Sequence, residues 1–192
     1  MPTSESIQLT AVVGSVTPPG RLRRAVDEAL ARAHGAETEL IDLAEREIAF
    51  ADGRPAAELG DDTAAVIAEI AQADAVLLAT PIYRGSLTGA LKNLLDHVPV
   101  AALQGTPVAL VSMGGSDHHY LGAERHLRDV LSFFGAHPLP TAVYLSSRDF
   151  TDGRPSQRAE DALDAVISSA VSLAGALRER PALGPMPLAA GF

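Results

Sequence analysis

The sequence predicts an α/β protein built on a doubly wound parallel sheet, and three observations carry that prediction. Short apolar runs alternate with helically spaced segments five times along 192 residues. Apolar residues make up 47% of the chain but aromatics only 4%, so the core is made of Ala, Val, Leu and Ile, as where alanine-rich helices cover Val/Leu strands. Parallel strands joined by right-handed crossovers then give an open sheet whose ligands bind at the carboxyl ends of the strands.

The elements follow in order. Ile7 to Val13 is an apolar run closed by Gly14 and Ser15, a first strand. Arg21 to His34 places Leu22, Ala25, Val26, Ala29, Leu30 and Ala33 at helical spacing, with Gly35 as the stop. Glu37 to Leu43 alternates and reads as a second strand; Glu45 to Gly60, with two glycines and Pro55, reads as a long loop. Asp61 or Asp62 can cap a helix to about Ala73. Asp74 to Ala79 is a third strand, Ser86 to His97 a helix, and Thr106 to Ser112 a fourth strand. A helix from about Tyr120 to Phe134, a weaker strand from Leu139 to Leu145 and a helix from about Ser156 to Leu177 complete the pattern. Residues 1–178 are expected to form a single domain. The Pro- and Gly-rich tail, 179–192, reads as a loose end or an arm on a neighbouring subunit.

Composition excludes several function classes. A net charge of −9 argues against nucleic-acid binding, which needs a basic surface. There is no cysteine, so disulfides, thiolate catalysis and Cys-ligated metals are excluded. The N-terminus lacks a signal-peptide pattern. No stretch approaches the roughly 18 apolar residues of a membrane span. A soluble, cytoplasmic protein is expected.

Three loops should meet at one sheet edge. "GSVTPPGRLRR" offers the Ser15 and Thr17 hydroxyls, Gly20 for close approach, and Arg21 at a helix start, a combination that suits a phosphate. It is neither a G-x-G-x-x-G fingerprint nor a Walker A loop, and it is equally compatible with an ordinary capped turn. In "TPIYRGS", Pro81 fixes the backbone and Gly85 lets it turn, so the amides of Tyr83, Arg84 and Gly85 can face the edge of a flat heteroaromatic ring. Ser86 or Thr88 can start the following helix. In "SMGGSDHHY", paired glycines allow backbone to pass close to a ligand. His119 and His126 stand seven residues apart, about 10 Å along a helix, too far to share a metal easily; no metal site is expected.

"GSVTPPGR", "TPIYRGSLTGALKNLLD" and "SMGGS", in this order and spacing, resemble the NADPH-dependent FMN reductase family of flavodoxin-like fold, nearest to the branch that supplies reduced flavin to sulfonate monooxygenases. The resemblance covers roughly Ile7 to Tyr144. It implies a five-stranded parallel sheet of order 2-1-3-4-5 and the use of FMN with NADPH or NADH. It places Ser15, Thr17, Gly20, Arg21 and Leu22 around the FMN phosphate. Pro81, Ile82, Tyr83, Arg84 and Gly85 would line the isoalloxazine, and Ser112, Gly114, Gly115 and Ser116 the ring and ribityl chain. Arg84 is expected to attract a nicotinamide phosphate, and Asp117 and His118 to touch the nicotinamide. Hydride transfer between the two cofactors is their own chemistry, so no catalytic side chain is expected. The resemblance also implies a homodimer or homotetramer, with the helices from Ser86 and Tyr120 as contact faces, and a flavin-dependent monooxygenase as partner. The competing classes are a quinone, azo or metal-ion reductase with tightly held FMN, and a flavodoxin-type electron carrier.

Overall fold

The computed structural model describes residues 6–17, 19–178, 183–185 and 187. Four parallel strands run through its centre: β1 (Ile7–Val13), β2 (Ala36–Asp42), β3 (Ala75–Pro81) and β4 (Pro107–Met113), in the order β2-β1-β3-β4. Beyond β4 the fifth sheet position is split. Both β5 (His137–Pro138) and β6 (Val143–Leu145) pair with β4 in parallel, which completes the order 2-1-3-4-5. The single strand expected over Leu139 to Leu145 is broken by Pro140, which has no N–H to give to a ladder. Leu139 still donates to the Val108 carbonyl (2.9 Å) before the chain leaves the sheet.

Alternation along the strands divides the core into two layers. Leu9, Ala11, Val13, Leu77, Ala79, Ala109 and Val111 face helices α1 (Arg21–Ala31) and α6 (Gln157–Leu177). Val12, Val76, Leu78, Val108 and Leu110 face α2 (Thr63–Ala71), α3 (Gly89–His97), the short α4 (Val100–Leu103) and α5 (Gly122–Phe134). A sheet covered on both faces has no polar side to show, which is why these strands read as continuous apolar runs.

The starts of α3 and α5 differ from their expected positions for identifiable reasons, while those of α2 and α6 fall where expected. Ser86 is used in a turn with Tyr83, so α3 begins only at Gly89, where the Thr88 hydroxyl accepts from Leu91 N (3.2 Å) and caps it. Asp61 accepts from Thr63 N (2.9 Å) and opens α2. Ser156 caps α6. A 3₁₀ turn over Asp117–His119 precedes α5, which starts at Gly122. The long loop after β2 is held in place: Ala49 N donates to Asp61 (2.6 Å), Ala51 N to Asn93 (2.9 Å), and Asn93 Nδ2 to the Ala49 carbonyl (2.8 Å). A hairpin of β7 (Phe150–Thr151) and β8 (Arg154–Pro155) follows β6 and was not expected. The C-terminal arm lies largely outside the described residues.

Candidate flavin site

The carboxyl ends of the strands are tied to one another by main-chain bonds. Gly14 N donates to Ala79 O (2.7 Å), Ile82 N to Met113 O (2.8 Å), and Gly114 N to Leu145 O (2.9 Å). Each loop therefore leaves its strand already fixed to the next one. The Thr88 hydroxyl donates to the Gly14 carbonyl while capping α3, and the Thr88 amide donates to Thr80 Oγ1 (3.1 Å). One buried threonine thus joins the first loop, the third strand and the third helix.

A cavity of about 190 Å³ opens at this edge, lined by Ser15, Thr17, Gly20, Arg21, Leu22, Arg23, Asp42, Pro81, Tyr83 and Met113. All five residues expected around the phosphate are here. Gly20 is the N-cap of α1 but has no side chain to cap with, and among the described residues the amides of Arg21, Leu22 and Arg23 have no acceptor. Ser15 and Thr17 hydroxyls bond each other (2.9 Å) at the mouth. The Arg21 guanidinium lies over the Phe150 ring, 5.2 Å from its centroid, and reaches Ser147 Oγ at 3.5 Å. Helix amides without an acceptor among the described residues, two hydroxyls and an arginine, all from residues lining one cavity, are a donor set for a phosphate dianion.

Tyr83 to Ser86 form a tight reverse turn. Tyr83 N donates to Ser86 O (3.0 Å) and Ser86 N to Tyr83 O (3.1 Å), with Arg84 at φ 54° and Gly85 at φ 79°. Successive positive φ values match the mirror-image turn that closes hairpins. The Tyr83 amide is therefore spent inside the turn, which narrows the three expected ring-facing donors to Arg84 and Gly85; among the described residues neither amide has an acceptor. Left-handed Arg84 carries backbone strain that glycine would not. Ile82 is half-buried at the root of the turn, and the Arg84 side chain is exposed. The turn is braced from α5: Ser86 Oγ and His126 Nδ1 lie 2.7 Å apart, and a Cβ on Gly122 would fall 3.1 Å from the Gly85 carbonyl.

The third loop is positioned differently. Met113, not anticipated from sequence, is its contribution to the cavity wall. Ser112 lies beneath, with a buried hydroxyl that has no partner among the described residues. Gly114 is buried against Tyr144, whose hydroxyl donates to the Ser116 carbonyl. Burial, then the carboxylates of Asp117 and Asp149, push the Tyr144 phenol above its ordinary value. Gly115, Ser116 and His118 are exposed, and His118 Nδ1 lies 3.4 Å from Ser116 Oγ. Asp117 is paired with Arg148 (2.6 Å) and lines a separate cleft of about 780 Å³ with Tyr120, Tyr144, Arg148 and Arg158. No cluster of three or more metal-ligating side chains occurs among the described residues.

Arg23 and Asp42 are the other residues that sequence reasoning missed. Arg23 Nε approaches Asp42 Oδ2 at 3.6 Å, and neither atom has a hydrogen bond. Asp42 ends β2 and Arg23 sits on the first turn of α1, so only the folded β1–β2 pairing brings them together.

A parallel sheet of this order, with a phosphate-ready helix start beside a reversed backbone turn, defines a nucleotide-binding protein of flavodoxin-like fold. The chain belongs to the NADPH-dependent FMN reductase family, whose model matches residues 7–151. It is 36% identical over 152 residues to the NADH-dependent FMN reductase SfnF of Pseudomonas fluorescens, covering 78% of this chain and 81% of the relative. It is 38% identical over 116 residues to an NAD(P)H-dependent FAD/FMN reductase of Geobacillus thermodenitrificans, covering 60% of this chain and 63% of that relative. Among solved structures, an NADH:FMN oxidoreductase in its apo form superposes with a TM-score of 0.70 at 23% identity, covering 87% of this chain and 89% of the other.

Proposed function

We propose that this protein is an NAD(P)H-dependent FMN reductase that binds FMN through the α1 start and the Tyr83–Ser86 turn and passes reduced flavin to a partner monooxygenase. Family membership and the donor set of the 190 Å³ cavity support this reading. FMN fits these residues. The amides of Arg21, Leu22 and Arg23 with Ser15, Thr17 and Arg21 would hold the phosphate, and the amides of Arg84 and Gly85 would meet the ring edge. When bound, FMN supplies the acceptor for a hydride from reduced nicotinamide.

The rest of the work belongs to the chain. α1 presents its amides to the dianion and neutralises part of its charge. Pro81 and the Arg84–Gly85 turn hold backbone donors in a fixed plane, so little order has to be imposed on binding. Met113 and Tyr83 line the cavity beside these donors. The exposed Gly115–His118 segment is left for the nicotinamide, with Asp117 and His118 as its contacts and Arg84 as a counter-charge for its phosphates. A loose phosphate grip, with glycine rather than a hydroxyl residue as N-cap, suits flavin that exchanges as a substrate.

The wider reading is a single domain through residue 178, at work in the cytoplasm where reduced nicotinamide is available. No described helix is long and apolar enough to cross a membrane. Exposed Tyr120, Leu121 and Phe133, on and beside α5, support a homodimer or homotetramer, which light scattering after size exclusion tests. A flavin-dependent monooxygenase is the partner class this reading proposes.

The test is NAD(P)H oxidation by purified protein with and without added FMN. A colourless protein that oxidises NAD(P)H only when FMN is added supports the reading. A firmly yellow protein that reduces quinones without added flavin overturns the exchangeable-flavin part of it, and no NAD(P)H oxidation with any acceptor overturns it altogether.

A further inference from the structure

We propose that Phe150 is a positioning residue for the flavin phosphate: its ring holds the guanidinium of Arg21, a residue lining the cavity, at one side of it and so sets the discrimination between phosphorylated and unphosphorylated flavin. The proposal rests on the FMN reading of the cavity above. An arginine on the exposed first turn of a helix would otherwise sample many rotamers. Here its guanidinium carbon lies 5.2 Å from the Phe150 centroid, with Ser147 Oγ at 3.5 Å from Nη2. A cation held against an aromatic ring gives up none of its N–H groups to that contact, so those not used by Ser147 remain for anion oxygens. Holding it there before binding removes part of the ordering cost that phosphate capture would otherwise carry.

Phe150 is itself held from both sides. The preceding residue, Asp149, is buried; its carboxylate accepts from Ser146 N (2.7 Å) and pairs with Arg158, and its carbonyl accepts from Ser156 N (2.7 Å). Phe150 then enters the β7–β8 hairpin opposite Pro155 and packs on the core layer under α1 and α6. Asp152 (φ 49°) and Gly153 (φ 77°) make the hairpin turn, and Arg24 Nη1 donates to the Gly153 carbonyl (3.4 Å), which ties the hairpin to α1. The hairpin is thus a brace from the far end of the sheet to the helix that carries Arg21. It contributes nothing to the cavity wall itself, which separates positioning from direct contact.

The experiment measures dissociation constants for FMN and for riboflavin by flavin-fluorescence quenching, in wild type, Phe150→Leu and Phe150→Trp. Wild type is expected to prefer FMN. Phe150→Leu should lower that preference about two- to fivefold, the scale of an exposed cation–π contact, with riboflavin affinity unchanged. Phe150→Trp should keep it. In an Arg21→Gln background, Phe150→Leu should have no further effect, because the two residues act as one unit. An unchanged FMN/riboflavin ratio in Phe150→Leu overturns the proposal, as does equal weakening of both ligands or tighter FMN binding. Absence of any FMN preference in wild type overturns the phosphate reading of the cavity, and the proposal with it.

Discussion

Replacing Gly14 with alanine puts a methyl group where β1 and α3 are already in contact. Its Cβ would fall 2.7 Å from Leu91 Cβ, 3.2 Å from Leu91 Cδ2 and 3.2 Å from Thr88 Oγ1. Carbon atoms pack best at about 3.5–4.0 Å, so the methyl group intrudes by roughly 1 Å. Neither side yields easily. Gly14 is held by its amide on Ala79 (2.7 Å) and its carbonyl on Thr88, and Leu91 is fully buried. Overpacking of this kind costs about 1–3 kcal/mol. For a chain of this size, about 2–4 °C of Tm per kcal/mol gives a fall of roughly 2–12 °C. Leu91→Ala in the same chain should not rescue it, because the nearest atom is a Cβ that alanine keeps. Thermal unfolding followed by circular dichroism measures the effect, and FMN titration should show weaker binding because the first loop starts at this residue. A Tm within about a degree of wild type would refute the close β1–α3 contact on which the site geometry rests.

Thr88→Val removes the α3 cap and leaves the Gly14 carbonyl buried without its donor; urea unfolding should show a loss of about 1–3 kcal/mol. Gly114→Ala drives a Cβ into the Tyr144 hydroxyl, so the phenol must leave Ser116 and the two-glycine loop should loosen. The expected readouts are faster amide exchange over residues 114–118 and weaker flavin binding, and unchanged exchange would count against it. Tyr144, followed by its ring carbon shift with Tyr144→Phe as the assignment control, should ionise above the ordinary value of about 10. A raised phenol pKa favours the protonated fold, so this contribution to stability is complete below about pH 10 and disappears as pH rises through the folded-state value. Ionisation of Tyr144 at or below about pH 10 would contradict its burial beside Asp117 and Asp149.

The strands themselves and the meeting of the first two loops were legible because they rest on local pattern, whereas the order 2-1-3-4-5 came from the family resemblance. Runs such as Val76 to Ala79 are apolar on both faces, and Gly14, Pro81 and Gly85 mark where the backbone must turn. Thr88 was foreseen as a helix start, but its bond to Gly14 was not, since it joins residues 74 apart in sequence. Arg23 with Asp42 and Tyr144 with Ser116 were hidden for the same reason: their partners are set by sheet order and not by spacing. The β7–β8 hairpin left a readable signal, Asp152-Gly153 between Thr151 and Arg154, which is a preferred two-residue hairpin turn. The broken fifth strand was also marked, by Pro138 and Pro140. Chain direction at the Tyr83–Ser86 turn was anticipated. The internal use of the Tyr83 amide was not, because Gly85 alone does not reveal that Arg84 would also take a positive φ.

The central claim is that the α1 start is a flavin-phosphate site in an FMN reductase. It is tested most directly by steady-state NAD(P)H oxidation with FMN and riboflavin compared, in wild type and in Arg21→Ala. The account predicts a higher kcat/KM for FMN than for riboflavin, carried by KM, with the difference reduced in Arg21→Ala while the riboflavin rate is unchanged. Equal efficiency with the two flavins in wild type, or an Arg21→Ala variant with the full FMN preference, would contradict it.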